Sequence, residues 1–137
     1  MILVHTGSPE LDCAAYLTAA HAVALFNIPE DSEIIISGDD MPEGMLAQVF
    51  PEDDFNFSII LNTNIPYTEE DIYKIIGHEM VHIKQMLFDG LDLDFGVKTA
   101  KYKGKYYRTS NAAEYWLSPW EIEARGYEDY FSWIMQN

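Results

Sequence analysis

The sequence predicts an α+β domain in which a small mixed β-sheet packs on one long amphipathic helix and a last helix closes against it. Three observations lead there. Short apolar runs bounded by Gly, Pro and Asn read as strands, and longer segments between them carry helical spacing. The strongest of those helical segments, from Ile72 to Leu87, follows the strongest strand. The order strand, helix, strand, strand, helix, hairpin, helix fits one sheet layer covered by helices.

Residues 2–6 (ILVHT) form a short strand stopped by Gly7-Ser8-Pro9. Glu10 to Phe26 repeats apolar positions at helical spacing through Leu11, Ala15, Leu17, Ala20, Val23 and Leu25, and Asn27-Ile28-Pro29 ends it. Glu33 to Ser37 reads as a buried strand. Residues 38–54 are rich in Gly, Pro and acids and predict a loop with a helical turn near Met45 to Val49. Phe55 to Thr63 is apolar through its centre, which predicts a strand covered on both faces.

The next helix starts at Pro66-Tyr67-Thr68, where Glu69, Glu70 and Asp71 supply an acidic first turn. Ile72, Ile75, Ile76, Met80, Ile83 and Leu87 make its core stripe, and Gly90 its stop. Residues 99–108 form a hairpin turning at Lys103-Gly104. The last helix begins after Ser118, with Pro119 at its first position.

All 137 residues belong to one domain: no linker, repeat or low-complexity tract divides them. Hydrophobic residues make up 48% and aromatics 14%, enough for a packed core. The formal charge of −15 excludes nucleic acid as a partner unless a basic patch is segregated from the rest. Lys98, Lys101, Lys103, Lys105 and Arg108 hold five of the eight positive charges; a solvated hairpin accounts for them, and the alternative is a contact surface for an acidic partner. Cys13 is alone, which rules out a disulfide framework and predicts a buried structural thiol. The N-terminus lacks a basic leader, and the apolar run Cys13–Phe26 is too short for a membrane span. A soluble intracellular protein is therefore expected.

Chemistry enters with His78-Glu79-Met80-Val81-His82, in the middle of the strongest helix. Positions i and i+4 share a helix face, so both imidazoles can reach one metal ion. Glu79 lies roughly 100° around the helix from His78, so it can miss the metal and act on the water as general base. One Zn2+ per chain is the expected cofactor, since zinc lowers the pKa of water toward about 7.

A third protein ligand is required. His5 and His21 qualify by residue type, but a strand and an amphipathic helix give them structural roles. No His or Cys follows the motif. A carboxylate must complete the set, and the last helix offers Glu121 and Glu123, with Glu128 and Asp129 about two turns deeper.

A HExxH helix followed by a Glu on a later helix resembles the gluzincin branch of zinc metallopeptidases. In that family the third ligand commonly opens an E-x-x-A/S-D/N stretch. Glu121-Ile122-Glu123-Ala124-Arg125 matches it at Glu121 and Ala124. Arg125 stands where the family carries an Asp or Asn supporting a ligand histidine, so another acid would have to make that contact. His78 to Gln85 (HEMVHIKQ), the aromatic-basic hairpin and PWEIEA together also resemble small metallopeptidase-like proteins of phages and bacteria.

The resemblance implies a zincin-like fold with a sheet edge bordering the cleft. It also implies His78, His82 and Glu121 as ligands, Glu79 as base, and a peptide or protein substrate. Two alternatives stay open: a zinc-containing regulatory or binding module without turnover, and a purely structural interaction protein. Glu121 has a competing role, because Ser118-Pro119-Trp120-Glu121 is also a capping-box pattern. Tyr106, Tyr107, Tyr115, Tyr127 and Arg108 are all potential oxyanion donors, and spacing selects none of them.

Overall fold

Pairing among the early strands builds the first layer. The computed structural model describes residues 1–137. In it β1 (Ile2–His5), α1 (Pro9–Phe26) and β2 (Ile34–Asp39) make a β-α-β unit with parallel strands. Next come β3 (Ala47–Pro51) and β4 (Phe57–Asn62). The sheet order is β1-β2-β4-β3, with β4 parallel to β2 and β3 antiparallel on the edge. The architecture is mixed α+β.

Ile34, Ile36, Phe57, Ile59 and Leu61 point to the helix side and are almost fully buried. Their neighbours Ile35, Ser58 and Ile60 are only half-buried. The sheet is therefore covered on one face, not on both as the apolar run in β4 predicts. An apolar run is ambiguous here because Ile60 on the outer face tolerates partial exposure.

The helical turn expected near Met45 to Val49 is instead strand β3. Ala47 pairs with Leu61 and Val49 with Ile59, so a free edge of β4 overrides local propensity. Pro51 ends this strand at the sheet edge, where its missing N–H costs no ladder bond.

Helix α1 buries a face of small residues, Ala14, Ala15, Thr18, Ala19 and Ala22. Leu17 and Leu25, expected in the core, are exposed, and so is Cys13. The small face wins because it lets the helix lie close against its neighbours, leaving the bulkier residues outside.

Helix α2 (Glu69–Phe88) begins with a full capping box between Thr68 and Asp71. Of its predicted stripe, Ile72, Ile76, Met80 and Ile83 are fully buried, each worth about 1.5–3 kcal/mol, while Ile75 and Leu87 are half-buried. Gly90, at φ 68°, follows its C-cap Asp89.

Beyond α2, three short antiparallel strands form a second sheet: β5 (Asp92–Asp94), β6 (Thr99–Tyr102) and β7 (Lys105–Arg108). The hairpin turns at Lys103 (φ 51°) and Gly104 (φ 79°), the left-handed pair that a two-residue turn needs. Tyr102 and Tyr107 pack their rings on Trp120, which is fully buried. After α3 (Ala112–Trp116), helix α4 (Pro119–Gln136) starts on that anchor and runs back across α2. Trp120 thereby sets the position of the next residue, Glu121. No helix is long and apolar enough to cross a membrane.

Candidate metal centre

Two helices bring the donor atoms together. On α2, the i, i+4 spacing places the rings of His78 and His82 at 81° with their Nε2 atoms 3.1 Å apart. From the first turn of α4, Glu121 reaches both. Its Oε2 lies 3.2 Å from His78 Nε2, and its Oε1 lies 3.1 Å from His82 Nε2. His82 and Glu121 are buried, and His78 is half-buried.

The capping role open to Glu121 is not used. Ser118 donates both its backbone N–H and its hydroxyl to the carbonyl of Tyr115, and its side chain caps nothing. The Glu121 carboxylate is left to face the histidines.

The outer ring nitrogens decide what the inner ones can do. Gln85 is fully buried, and its amide N–H groups donate to the Trp120 carbonyl and to Glu123, each at 2.9 Å. Only its Oε1 remains, so His82 Nδ1 must be the donor in their 2.8 Å bond. His78 Nδ1 likewise donates to Glu128 Oε2 at 2.8 Å. Both Nε2 atoms then turn lone pairs inward, toward each other and toward a carboxylate. Three converging lone-pair donors repel unless a cation sits among them, and that cation is a proton or a metal ion.

The donor set fits a metal. Donors sharing a tetrahedral zinc at about 2.0–2.1 Å lie roughly 3.3 Å apart, close to the spacings found here. His78, His82 and Glu121 together could hold one ion. Protons compete for the same place. Burial opposes a charge on His78, but the Glu121 and Glu128 carboxylates outweigh it and raise its pKa to about 10. Burial also opposes charge on Glu121, and its bonds to the two histidines nevertheless hold it well below the usual carboxylate range.

Glu79 is buried beside this set without belonging to it, and its carboxylate makes no hydrogen bond or ion pair within the chain. Burial pushes its carboxyl pKa up, while His82 and His78 pull it back. It lines a cleft of about 810 Å³ together with His78, His82 and Glu121. Edge strand β3 forms one wall of that cleft, and residues 109–112 with Tyr115 and Trp116 form another.

The other sequence candidates lie elsewhere. His5 is exposed on β1, and His21 bonds the Tyr130 hydroxyl at 2.8 Å. Glu123 turns to Gln85 and Lys84, while Asp129 is exposed beside Lys74. Among the potential oxyanion donors only Tyr115 lines the cleft. Tyr106 is exposed, Tyr107 packs on Trp120, Tyr127 packs among Phe26, Tyr130 and Phe131, and Arg108 pairs with Glu114. Burial and the neighbouring Glu121 and Glu79 carboxylates push the Tyr115 phenol far up, so it keeps its proton.

Two contacts escape the sequence reasoning. Glu128, weighed there only as a ligand, supports His78. It sits seven residues after Glu121, two turns along the same face, and this spacing is the signal that could have found it. Gln85, three residues after His82, supports that second ring in the same way. Compared with protein-family models, curated proteins and solved structures, the chain gives no significant match.

Proposed function

We propose that the chain is a zinc-dependent metallopeptidase of zincin-like fold, using His78, His82 and Glu121 as ligands. One observation carries this: three inward lone pairs meet at the floor of a cleft, beside a buried carboxylate that none of them engages. Zinc, when bound, would supply Lewis acidity, activating water and polarising a carbonyl.

The chain's own residues supply the rest. Glu79 accepts the proton of the attacking water and passes it to the leaving amine. Its side chain is buried beside the site and engaged by no other group, so it is free to take and return a proton. Tyr115 keeps its hydroxyl proton and offers it to the oxygen on which charge develops, a contribution typically worth roughly 10²–10³ in rate. Strand β3 is paired on one side only, so its free edge can take an extended peptide along the cleft wall.

Metal analysis and peptide hydrolysis of Glu79→Gln test this function. The variant should keep one zinc per chain and the wild-type fold while hydrolysis disappears. Zinc retained by a wild-type protein that cleaves no peptide would favour a zinc-containing binding module. Undiminished turnover in the variant would remove Glu79 from the mechanism.

A further inference from the structure

Arg125 is the residue at which the last helix departs from the gluzincin pattern, and its surroundings are unusual for this chain. Of the eight Lys and Arg side chains only Lys74, Lys84 and Arg108 are paired with a carboxylate. Arg125, like Lys98, Lys101, Lys103 and Lys105, has none within ion-pair distance, but unlike most of them it lines the cleft. The residue is half-buried and lines the cleft. One N–H group, on Nη2, donates to the Trp116 carbonyl at 2.7 Å. The Trp116 ring covers one face, 3.7 Å from Cζ. Nη1 is shut off from solvent and has no partner.

Holding α3 against α4 explains the carbonyl bond and the stacked ring. It does not explain the rest. A guanidinium carries five donors, and only one is used here. The sealed Nη1 is out of a ligand's reach and its missing bond costs about 1–3 kcal/mol, so a carboxylate in the cleft would meet the remaining N–H groups on Nε and Nη2. The other arginine, Arg108, meets the carboxylate of Glu114. Lys98 is the one other Lys or Arg on the cleft wall, and it too has no ion-pair partner.

We infer that Arg125 is a specificity residue that receives a carboxylate of the substrate, making acidic peptides the substrate class. The assignment rests on the peptidase function proposed above. Arg125 lies four residues after Glu121, one turn or about 6 Å along the same helix face. An extended chain advances roughly 3.3–3.6 Å per residue. The recognised carboxylate therefore belongs within about two residues of the bond that reacts. A side-chain carboxylate of Asp or Glu and the terminal carboxylate of a peptide share this chemistry.

The test uses the zinc-loaded full-length protein and hexapeptides carrying Glu or Gln at each position in turn, each with a free or an amidated C-terminus. Binding is followed by calorimetry and cleavage by product analysis. Wild type should favour Glu over Gln at one position, or acid over amide at the terminus, by about 10- to 100-fold. The position at which the preference falls tells the side-chain source from the terminal one. Arg125→Gln should bring that ratio close to one. Arg125→Lys keeps the charge but loses the fork, and should lower the ratio severalfold; it serves as the readout if Arg125→Gln does not fold. Cleavage with no preference at any position, or a preference that survives both substitutions, would overturn the assignment and leave the peptidase function standing. A carboxylate preference in binding that depends on Arg125, without cleavage of any peptide, would overturn the peptidase function and leave Arg125 as the acid-binding residue.

Discussion

Gly77 lies directly against the ring of Phe131, and this contact lets α4 approach α2, the helix of His78 and His82. A Cβ at Gly77 would stand 2.5 Å from Phe131 Cγ and 2.9 Å from its Cβ. Phe131 is fully buried between the helices, so its ring has no room to retreat. Alanine is the better helix former by about 1 kcal/mol, but overpacking a tight core costs typically about 1–3 kcal/mol or more. Gly77→Ala should therefore lower the melting temperature. By moving α4 it should also separate Glu121 from the histidines and weaken zinc binding. Adding Phe131→Leu should restore part of both losses. A stabilised Gly77→Ala protein with wild-type zinc affinity would show that the contact relaxes freely.

Glu121 and Glu123 stand two residues apart and should behave oppositely on losing their carboxylates. At high zinc each hundredfold loss of affinity removes about 2.7 kcal/mol from the loaded protein. Glu121→Ala should thus destabilise the zinc-loaded form much more than the chelated form. Glu123→Ala, which only frees Gln85 and Lys84, should shift both forms by similar amounts. Calorimetry with and without chelator separates them. Equal losses in the two forms of Glu121→Ala would take that residue out of the ligand set.

The outer histidine partners should tune affinity. Removing such support typically costs 10–100-fold in metal binding. Glu128 is partly exposed, with its side chain at 34%, so Glu128→Ala should reduce zinc affinity in that range and lower the stability of the chelated protein by less, through the lost bond to His78. Gln85→Leu should lower affinity too. It should also destabilise the fold, since it leaves the Trp120 carbonyl and Glu123 without their buried donor. Competition titrations with a zinc-binding dye would measure both, and unchanged affinity in Glu128→Ala would show that His78 needs no support.

Protons and zinc should compete over a defined range. His78 is raised from an ordinary 6.5 to about 10, so its stabilising contribution is complete below pH 6.5 and fades as pH climbs toward 10. His82 and Glu79 are raised as well and act in the same direction. The melting temperature of the chelated protein should fall across that interval. Because bound imidazoles must lose their inward protons, zinc affinity should rise with pH over the same range. Zinc affinity independent of pH from 6.5 to 10 would contradict the proton-occupied site.

Much of the fold was legible because periodicity is local. The stripe Ile72, Ile76, Met80, Ile83 needs only helical spacing to declare a buried face, and Thr68 with Asp71 marks the start without reference to anything distant. His78, Glu79 and His82 are legible for the same reason: four residues of helix bring two rings to one side. The turn at Lys103-Gly104 also follows from its own backbone demands.

What the tertiary structure decided lies where partners are far apart in the chain. Strand β3 exists because β4 offers an edge, and α1 buries its alanines because close packing favours them over Leu17 and Leu25. Glu121 faces the histidines because Trp120 is held by Tyr102 and Tyr107 and because Ser118 spends its donors on Tyr115. Glu128 and Gln85 meet their partners because α2 and α4 cross, and Tyr115 is placed by the packing of α3 on α4. The sequence by itself determined which helix presents the two imidazoles and the carboxylate between them. Only the packing of the second helix, admitted by Gly77, decided which further carboxylate meets them, because that encounter depends on an interhelical approach that local spacing does not encode.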